Sequence, residues 1–279
     1  MKIKRVSWQV ALAYALAVMV LIWILTPFIV ALVSSFKVST DFQREFTFLP
    51  KTWRWENYKD ALEFVDLMGF MINSIICAVA VTLLGTMVCS MSAFGFSRVQ
   101  FRGRDKLFQI FILTQGVPFS VLAIPLYMMI TKMGMVNTKF GLIIPLILYP
   151  MGVFILRQAM LVIPRDYEES AMLDGCGRWK MFTKIFLPMT RNSVIAVAIF
   201  MFMQSWNNYV WPLIIISDKA QYTLPIGLTL YTAQASMSRR PEWSVILAAC
   251  LISAAPMILF YILFSKRFMA GVSAGGVKG

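Results

Sequence analysis

Long apolar runs alternate with short polar islands along the chain. Six charge-poor stretches, at about residues 10 to 36, 67 to 96, 107 to 130, 140 to 163, 193 to 216 and 243 to 265, each reach the roughly 20 residues that a helix needs to cross a bilayer. Lipid offers no partner for backbone polar groups, so such runs must close their hydrogen bonds within themselves as helices. The pattern therefore predicts an all-α, polytopic membrane protein with six transmembrane helices in a single domain over residues 1–279. The first run, from Val10 to Val33, is too long for the apolar core of a cleavable signal and lacks a small-residue cleavage site. It reads as a retained first span.

The runs differ in what interrupts them. The second carries Asn73-Ser74 and then Ala78, Ala80, Gly85, Ser90, Ser92 and Gly95, small residues that let helix backbones approach closely in lipid. It is expected to pack inside a bundle. The third and fourth form a hairpin joined by TKMGMVNTK and carry Pro118, Pro125, Pro145 and Pro150, each of which frees a backbone carbonyl. Such kinks fit a pathway that opens and closes, and they are also common in any polytopic protein. The fifth carries Gln204, Ser205, Trp206, Asn207 and Asn208 at depth, where amides are costly unless they face protein or water. Amides bond hydroxyls and aromatic faces cover sugar rings, so Asn73, Gln204, Trp206, Asn207 and Asn208 are candidate pathway residues. The same residues also fit an interhelical amide network.

The most ordered polar island is residues 164 to 192, PRDYEESAMLDGCGRWKMFTKIFLPMTRN. Pro164 breaks the preceding helix. Arg165 through Met172 read as a short helix with Asp166, Glu168 and Glu169 near its start, where carboxylates favour the helix dipole. Asp174-Gly175 is a turn signal, and a second helix runs from about Arg178 until Leu187-Pro188 ends it. A helix, glycine turn and helix between two spans make a lever that moves when the spans move.

Charge now orients the chain. The net charge of +13 could indicate a nucleic-acid surface. With the N-terminus inside, however, the inner segments hold 16 of the 26 basic residues but only 5 of the 13 acidic ones. The basic excess is the positive-inside rule, and it places both termini in the cytoplasm. Four scattered cysteines, Cys77, Cys89, Cys176 and Cys250, have neither metal-ligand nor disulfide spacing. The chain contains no histidine, which removes histidine metal sites, Ser-His-Asp triads and histidine proton relays.

Within the polar island, Glu169, Ala171, Asp174, Gly175, Phe182, Ile185, Leu187 and Pro188 fall at the spacing of the loop E-A-A-x-x-x-G followed by I-x-L-P. The chain thereby resembles the membrane subunits of bacterial binding-protein-dependent ABC importers. Ser170 replaces the second alanine, Cys176 a common alanine and Asn192 a frequent second proline. The first two keep a small side chain, while the third leaves the entry to the next span less rigidly defined. WENYKDAL, SRVQFRGRDK, the stretch QSWNNYVWPLIIISDKAQYTLPIGL and the ending AGVSAGGVKG resemble the carbohydrate permeases of this family, so the likeness runs from about Phe48 to Gly279. WENYKDAL also reads as a plain aromatic anchor at the membrane surface.

The resemblance implies the type I permease fold of ABC importers in a bacterial cytoplasmic membrane. It implies that Glu168, Glu169, Ser170, Ala171, Asp174, Gly175, Phe182, Leu187 and Pro188 couple the chain to an ATPase. It further implies that the tail around Gly275, Gly276 and Lys278 reaches the ATPase pair, as in the maltose importer. Read without the family, that tail is a flexible terminus. No cofactor is expected in this chain, because ATP and Mg would sit on two partner ATPase subunits. A second permease and an extracytoplasmic sugar-binding protein complete the implied assembly. No GxxxxGK[ST] phosphate loop occurs here, so energy must come from a partner.

The rival class is an ion-coupled secondary transporter of a small polar solute. Such proteins use ionisable groups at depth. Here five of the six runs contain no Asp, Glu, Lys or Arg, and Arg157 in the other lies near its inner edge. A membrane enzyme would need paired carboxylates, metal ligands or an activated nucleophile, and none lies at any span end apart from the acids of residues 164 to 192, which the lever already explains.

Overall fold

A computed structural model of the chain describes residues 8–41, 47–64, 66–236 and 242–276. These residues are helical and turn segments with no strand among them. The helices are α1 (Trp8–Ser34), α2 (Glu56–Phe64), α3 (Leu67–Arg98), α4 (Arg104–Leu113), α5 (Phe119–Lys132), α6 (Lys139–Ile147) and α7 (Pro150–Leu161). After them come α8 (Asp166–Leu173), α9 (Arg178–Met189), α10 (Arg191–Trp206), α11 (Val210–Ile215), α12 (Leu224–Ser236) and α13 (Trp243–Gly276).

Among the described residues, three helices are long and apolar enough to cross a membrane unaided: Trp8–Ser34, Leu67–Arg98 and Trp243–Phe264. Three bent pairs reach the same length and apolar content only when their halves are taken together. Arg104–Gly116 meets α5 at 105°, α6 meets α7 at 41°, and α9 meets α10 at 82°. The third run, expected as one helix over 107 to 130, is thus broken. Pro118 has no N–H to continue the ladder, and Val117 turns extended at the junction, with φ −83° and ψ 117°. The fifth run is likewise split at Asn207 to Tyr209, between α10 and α11. The final helix continues through Gly276 where a flexible tail was expected. Lys278 lies outside the described residues.

The chain forms two compact units, Met1–Leu67 with Leu228–Ala255 and Met68–Gly227 with Pro256–Gly279. In the first, no residue of the most apolar 18-residue window of α1 is buried. Its end is held by polar side chains: Asn57, buried in α2, donates through Nδ2 to the carbonyls of Ser35 and Lys37, each at 2.8 Å. Tyr58 meets Ser35 through their hydroxyls at 2.8 Å. Phe36 nests among Trp53, Trp55 and Tyr58, with ring centroids 4.6 to 5.4 Å apart. WENYKDAL therefore clamps the end of the first span as well as presenting Trp55 at the surface.

In the second unit, α3 packs as its small residues require. Ala78 is fully buried, and a Cβ built on Gly85 would stand 2.0 Å from Met201 Cε and 2.9 Å from the carbonyl oxygen of Ile147. The methionine end can swing away, but the backbone of α6 cannot. Elsewhere Trp211, fully buried, donates from Nε1 to the carbonyl of Gly141 at 3.1 Å and fixes α11 on α6. Phe202 stacks between Trp206 and Phe260. A Gly85→Val variant is expected to lose about 1 to 3 kcal/mol of stability by overpacking. Thermal unfolding in detergent checks this; a melting temperature equal to that of the parent would contradict the close approach.

Candidate functional site

The polar island folds as a helix, a turn and a bent second helix. Arg165 accepts the N–H groups of Glu168 and Glu169 on its carbonyl, at 2.8 and 3.0 Å, and opens α8. Asp166, Glu168 and Glu169 all fall in the first turn, as the dipole argument predicts. The helix ends in a glycine cap: Cys176 N donates to the carbonyl of Ala171 at 2.9 Å and Gly175 N to that of Met172 at 3.0 Å. Gly175 has φ +72°, the left-handed region that the Asp174-Gly175 signal anticipates.

The second helix does not stop at Pro188. Residues Phe182–Phe186 form a π turn in which Leu187 N reaches back to the carbonyl of Phe182. The wider turn makes room for a proline ring that would strike the carbonyl one α-turn earlier. Helix continues to Met189, and Thr190 then makes the corner. Its N and Oγ1 both donate to the carbonyl of Phe186, at 3.0 and 2.7 Å, and Thr190 is buried. That bond defines the entry to α10 without the second proline that Asn192 replaces.

Two faces with different work result. Inward, Ala171, Met181, Phe182 and Phe186 are buried, and Phe94 of α3 lies 5.4 and 5.2 Å from the rings of Phe182 and Phe186. Glu168, expected with the coupling residues, also turns inward and pairs with Arg98 at 3.5 Å, the glutamate side chain being 18% and the arginine 5% exposed. Phe182 is therefore an anchor in the packing. Outward, Glu169, Ser170, Asp174, Gly175 and Pro188 are exposed, with Leu187 half-buried. Beside them stand exposed apolar side chains that the sequence reading passed over: Tyr167, Met172, Trp179 and Leu173, the last 90% exposed. The available signal was Leu173 itself, an apolar residue next to a turn with no facing apolar partner in an eight-residue helix.

Arg98 was missed as well, being counted only as a basic loop charge. It donates to the carbonyls of Met160 and Ile163, the latter at 2.6 Å, and its guanidinium lies 4.7 Å over the Phe186 ring. Arg157 makes a parallel tie, donating to the carbonyl of Phe96 at 3.2 Å and to Asp105 at 3.2 Å. A cleft of about 430 Å³ opens beside Arg98, Gln100, Arg165 and Glu169.

The candidate pathway residues are placed apart in kind. Asn73 is buried and its amide donates to the carbonyls of Ala220 and Tyr222, at 2.8 and 3.0 Å. Trp206 is buried on Phe202. Gln204 and Asn207 are exposed, and Asn208 accepts from Trp211 N at 3.3 Å and so starts α11. Those last three amides gather at the break in the fifth run. Gly275 and Gly276 end α13. The cysteines are free, and among the described residues no group of three or more acidic or cysteine side chains is placed to hold a metal.

An all-helical, multi-pass chain with a polar helix-turn-helix between two bent spans has the build of a transport permease. Residues 85–273 match the family described as binding-protein-dependent transport system inner membrane component, and the chain belongs to that family. It is 30% identical over 278 residues to the arabinooligosaccharides transport system permease protein AraQ of Halalkalibacterium halodurans, covering 98% of this chain and 97% of that one. It is 31% identical to the inner membrane ABC transporter permease protein YcjP of Escherichia coli K12 over 99% of each chain. In structure it is similar to a bacterial ABC transporter involved in the import of the acidic polysaccharide alginate, with TM-score 0.83 and 18% identity over 96% of this chain and 99% of that one. Family membership sets the ion-coupled alternative aside and makes the chain a permease component of an ABC importer, not an enzyme.

Gly175 tests the turn. Every side chain pays for its positive φ, by roughly 1 to 2 kcal/mol for most and least for asparagine. A Cβ there meets nothing within 4 Å, so crowding does not enter. The expected order of uptake is Gly, then Gly175→Asn, then Gly175→Ala, then Gly175→Val with none, at equal amounts of chain in the membrane. Full transport by Gly175→Val would contradict the assignment.

Proposed function

We propose that the chain is the sugar-conducting permease subunit of an ATP-driven, binding-protein-dependent importer, working in a bacterial cytoplasmic membrane with both termini inside. The observation that carries this reading is the exposed tip of α8, where Leu173, Met172 and Tyr167 stand beside Glu169 and Asp174. A water-exposed cluster of large apolar side chains on a short, glycine-capped helix is a docking surface. An acidic rim selects a basic cleft on the partner, which here is the cytoplasmic ATPase subunit.

Two such ATPase subunits bind ATP and Mg, a second permease completes the pathway, and an extracytoplasmic sugar-binding protein delivers substrate. Closure of the ATPase pair pulls α8. Since α9 is packed on α3 through Phe182 and Phe186 and is joined to α8 by the glycine turn, the pull reaches the inner ends of the spans, and the cavity opens outward. Hydrolysis resets it. The broken backbone at Asn207 to Tyr209 supports a polar pathway there, because non-helical backbone at membrane depth is tolerated where it lines water or protein. Gln204, Asn207 and Asn208 offer amides to sugar hydroxyls, while Asn73 and Trp206 hold the walls. The residues around Gly275, Gly276 and Lys278 contact the ATPase pair.

Sugar as substrate class is supported by the arabino-oligosaccharide permease among the similar chains and by a second, 29% identical over 95% of this chain, called a diacetylchitobiose uptake system permease protein in Streptomyces coelicolor. Purification of the tagged chain from its native membrane in mild detergent is expected to bring down an ATPase, a second permease and a sugar-binding protein. Sugar-loaded binding protein is expected to raise ATP hydrolysis by the recovered complex. Recovery of the chain without an ATPase would overturn the reading.

A further inference from the structure

Arg98 joins four elements with one side chain. It stands at the end of α3, donates to the carbonyls of Met160 and Ile163 where α7 runs out, pairs with Glu168 of α8, and covers the Phe186 ring of α9. The guanidinium suits this because its donors are fixed in a planar fork, so one group serves a carbonyl pair and a carboxylate at once. With 5% of its side chain exposed, the charge has little water to fall back on.

The two halves of the arrangement differ. The carbonyl half ties α3 to the end of α7 and involves no charge partner. The carboxylate half is the only ion pair, among the described residues, between the polar island and a span. Apart from it, α8 is held to the core by Ala171, its one buried residue, and through the glycine turn to α9, apolar contacts with no fixed direction, so a pull on its exposed tip would be taken up largely at Ile163 to Arg165.

We infer that Arg98 is a positioning residue for transport, pinning α8 through Glu168 to the inner ends of the second and fourth spans so that these move as one body. The inference rests on the importer reading above. It adds that displacement of the docking helix passes to both spans at once, through a side chain that makes no contact with substrate or nucleotide.

The test is a distance measured by electron paramagnetic resonance between spin labels at Gln100→Cys and Asp166→Cys, both exposed positions, with native cysteines replaced and the complex in lipid nanodiscs. The parent is expected to give one narrow peak that ATP with vanadate does not shift. Glu168→Gln, which keeps the shape but removes the charge, and Arg98→Lys, which removes the fork, are expected to broaden the peak and let ATP with vanadate shift it. A shift in the parent, or an unmoved narrow peak in both variants, would overturn the pin. So would variants that merely melt earlier with the distance unresponsive to nucleotide, as a purely structural arginine predicts. The labels report the pin in the chain purified alone as well, so a missing ATPase would count against the importer reading while the narrow or broad peak still decides this one.

Discussion

Every break in a membrane helix leaves carbonyl and amide groups with no water to bond, and the second unit of this protein is organised by how those groups are satisfied. Polar side chains do the work. Arg98 takes the carbonyls where α7 ends, Arg157 takes that of Phe96, Asn73 takes two in the loop before α12, and Trp211 takes that of Gly141. Asn137 accepts the N–H groups of Ser217 and Asp218 at 3.1 and 3.0 Å and joins the α5–α6 turn to the end of α11. Asn73, a candidate for the pathway in the sequence, is thus also a tie between the second span and the loop before α12.

The same constraint explains what the sequence reveals. Six apolar runs are legible, because length and apolar content act on every residue of a span. The bends are not. Pro118 coincides with a sharp break, yet Pro125 and Pro145 lie inside continuous helices, so proline alone marks neither a bend nor its angle. The decisive factor is whether a neighbour satisfies the freed backbone, and that depends on residues far away in the chain.

In the polar island the legible part is the part fixed locally. Gly175 and the acids at the start of α8 obey rules of their own few residues, and they stand where those rules put them. The division into an anchored face and a free face is not local. Glu168 and Glu169 are adjacent acids with the same propensity, but one meets Arg98 and the other faces solvent. Phe182 and Trp179 are aromatic residues one turn apart, and only the first finds Phe94. Anchoring one side so firmly leaves the other as a stiff, exposed handle, which is what a partner needs in order to move the spans.

On the proposed function, this handle is held by a nucleotide-driven partner. A photo-crosslinking amino acid at Leu173, installed in the chain in its native membrane, tests it most directly. The expected result is a covalent adduct with a subunit carrying the GxxxxGK[ST] phosphate loop, in a yield that changes when ATP is added. Crosslinks confined to lipid, or to proteins without that loop, would contradict it.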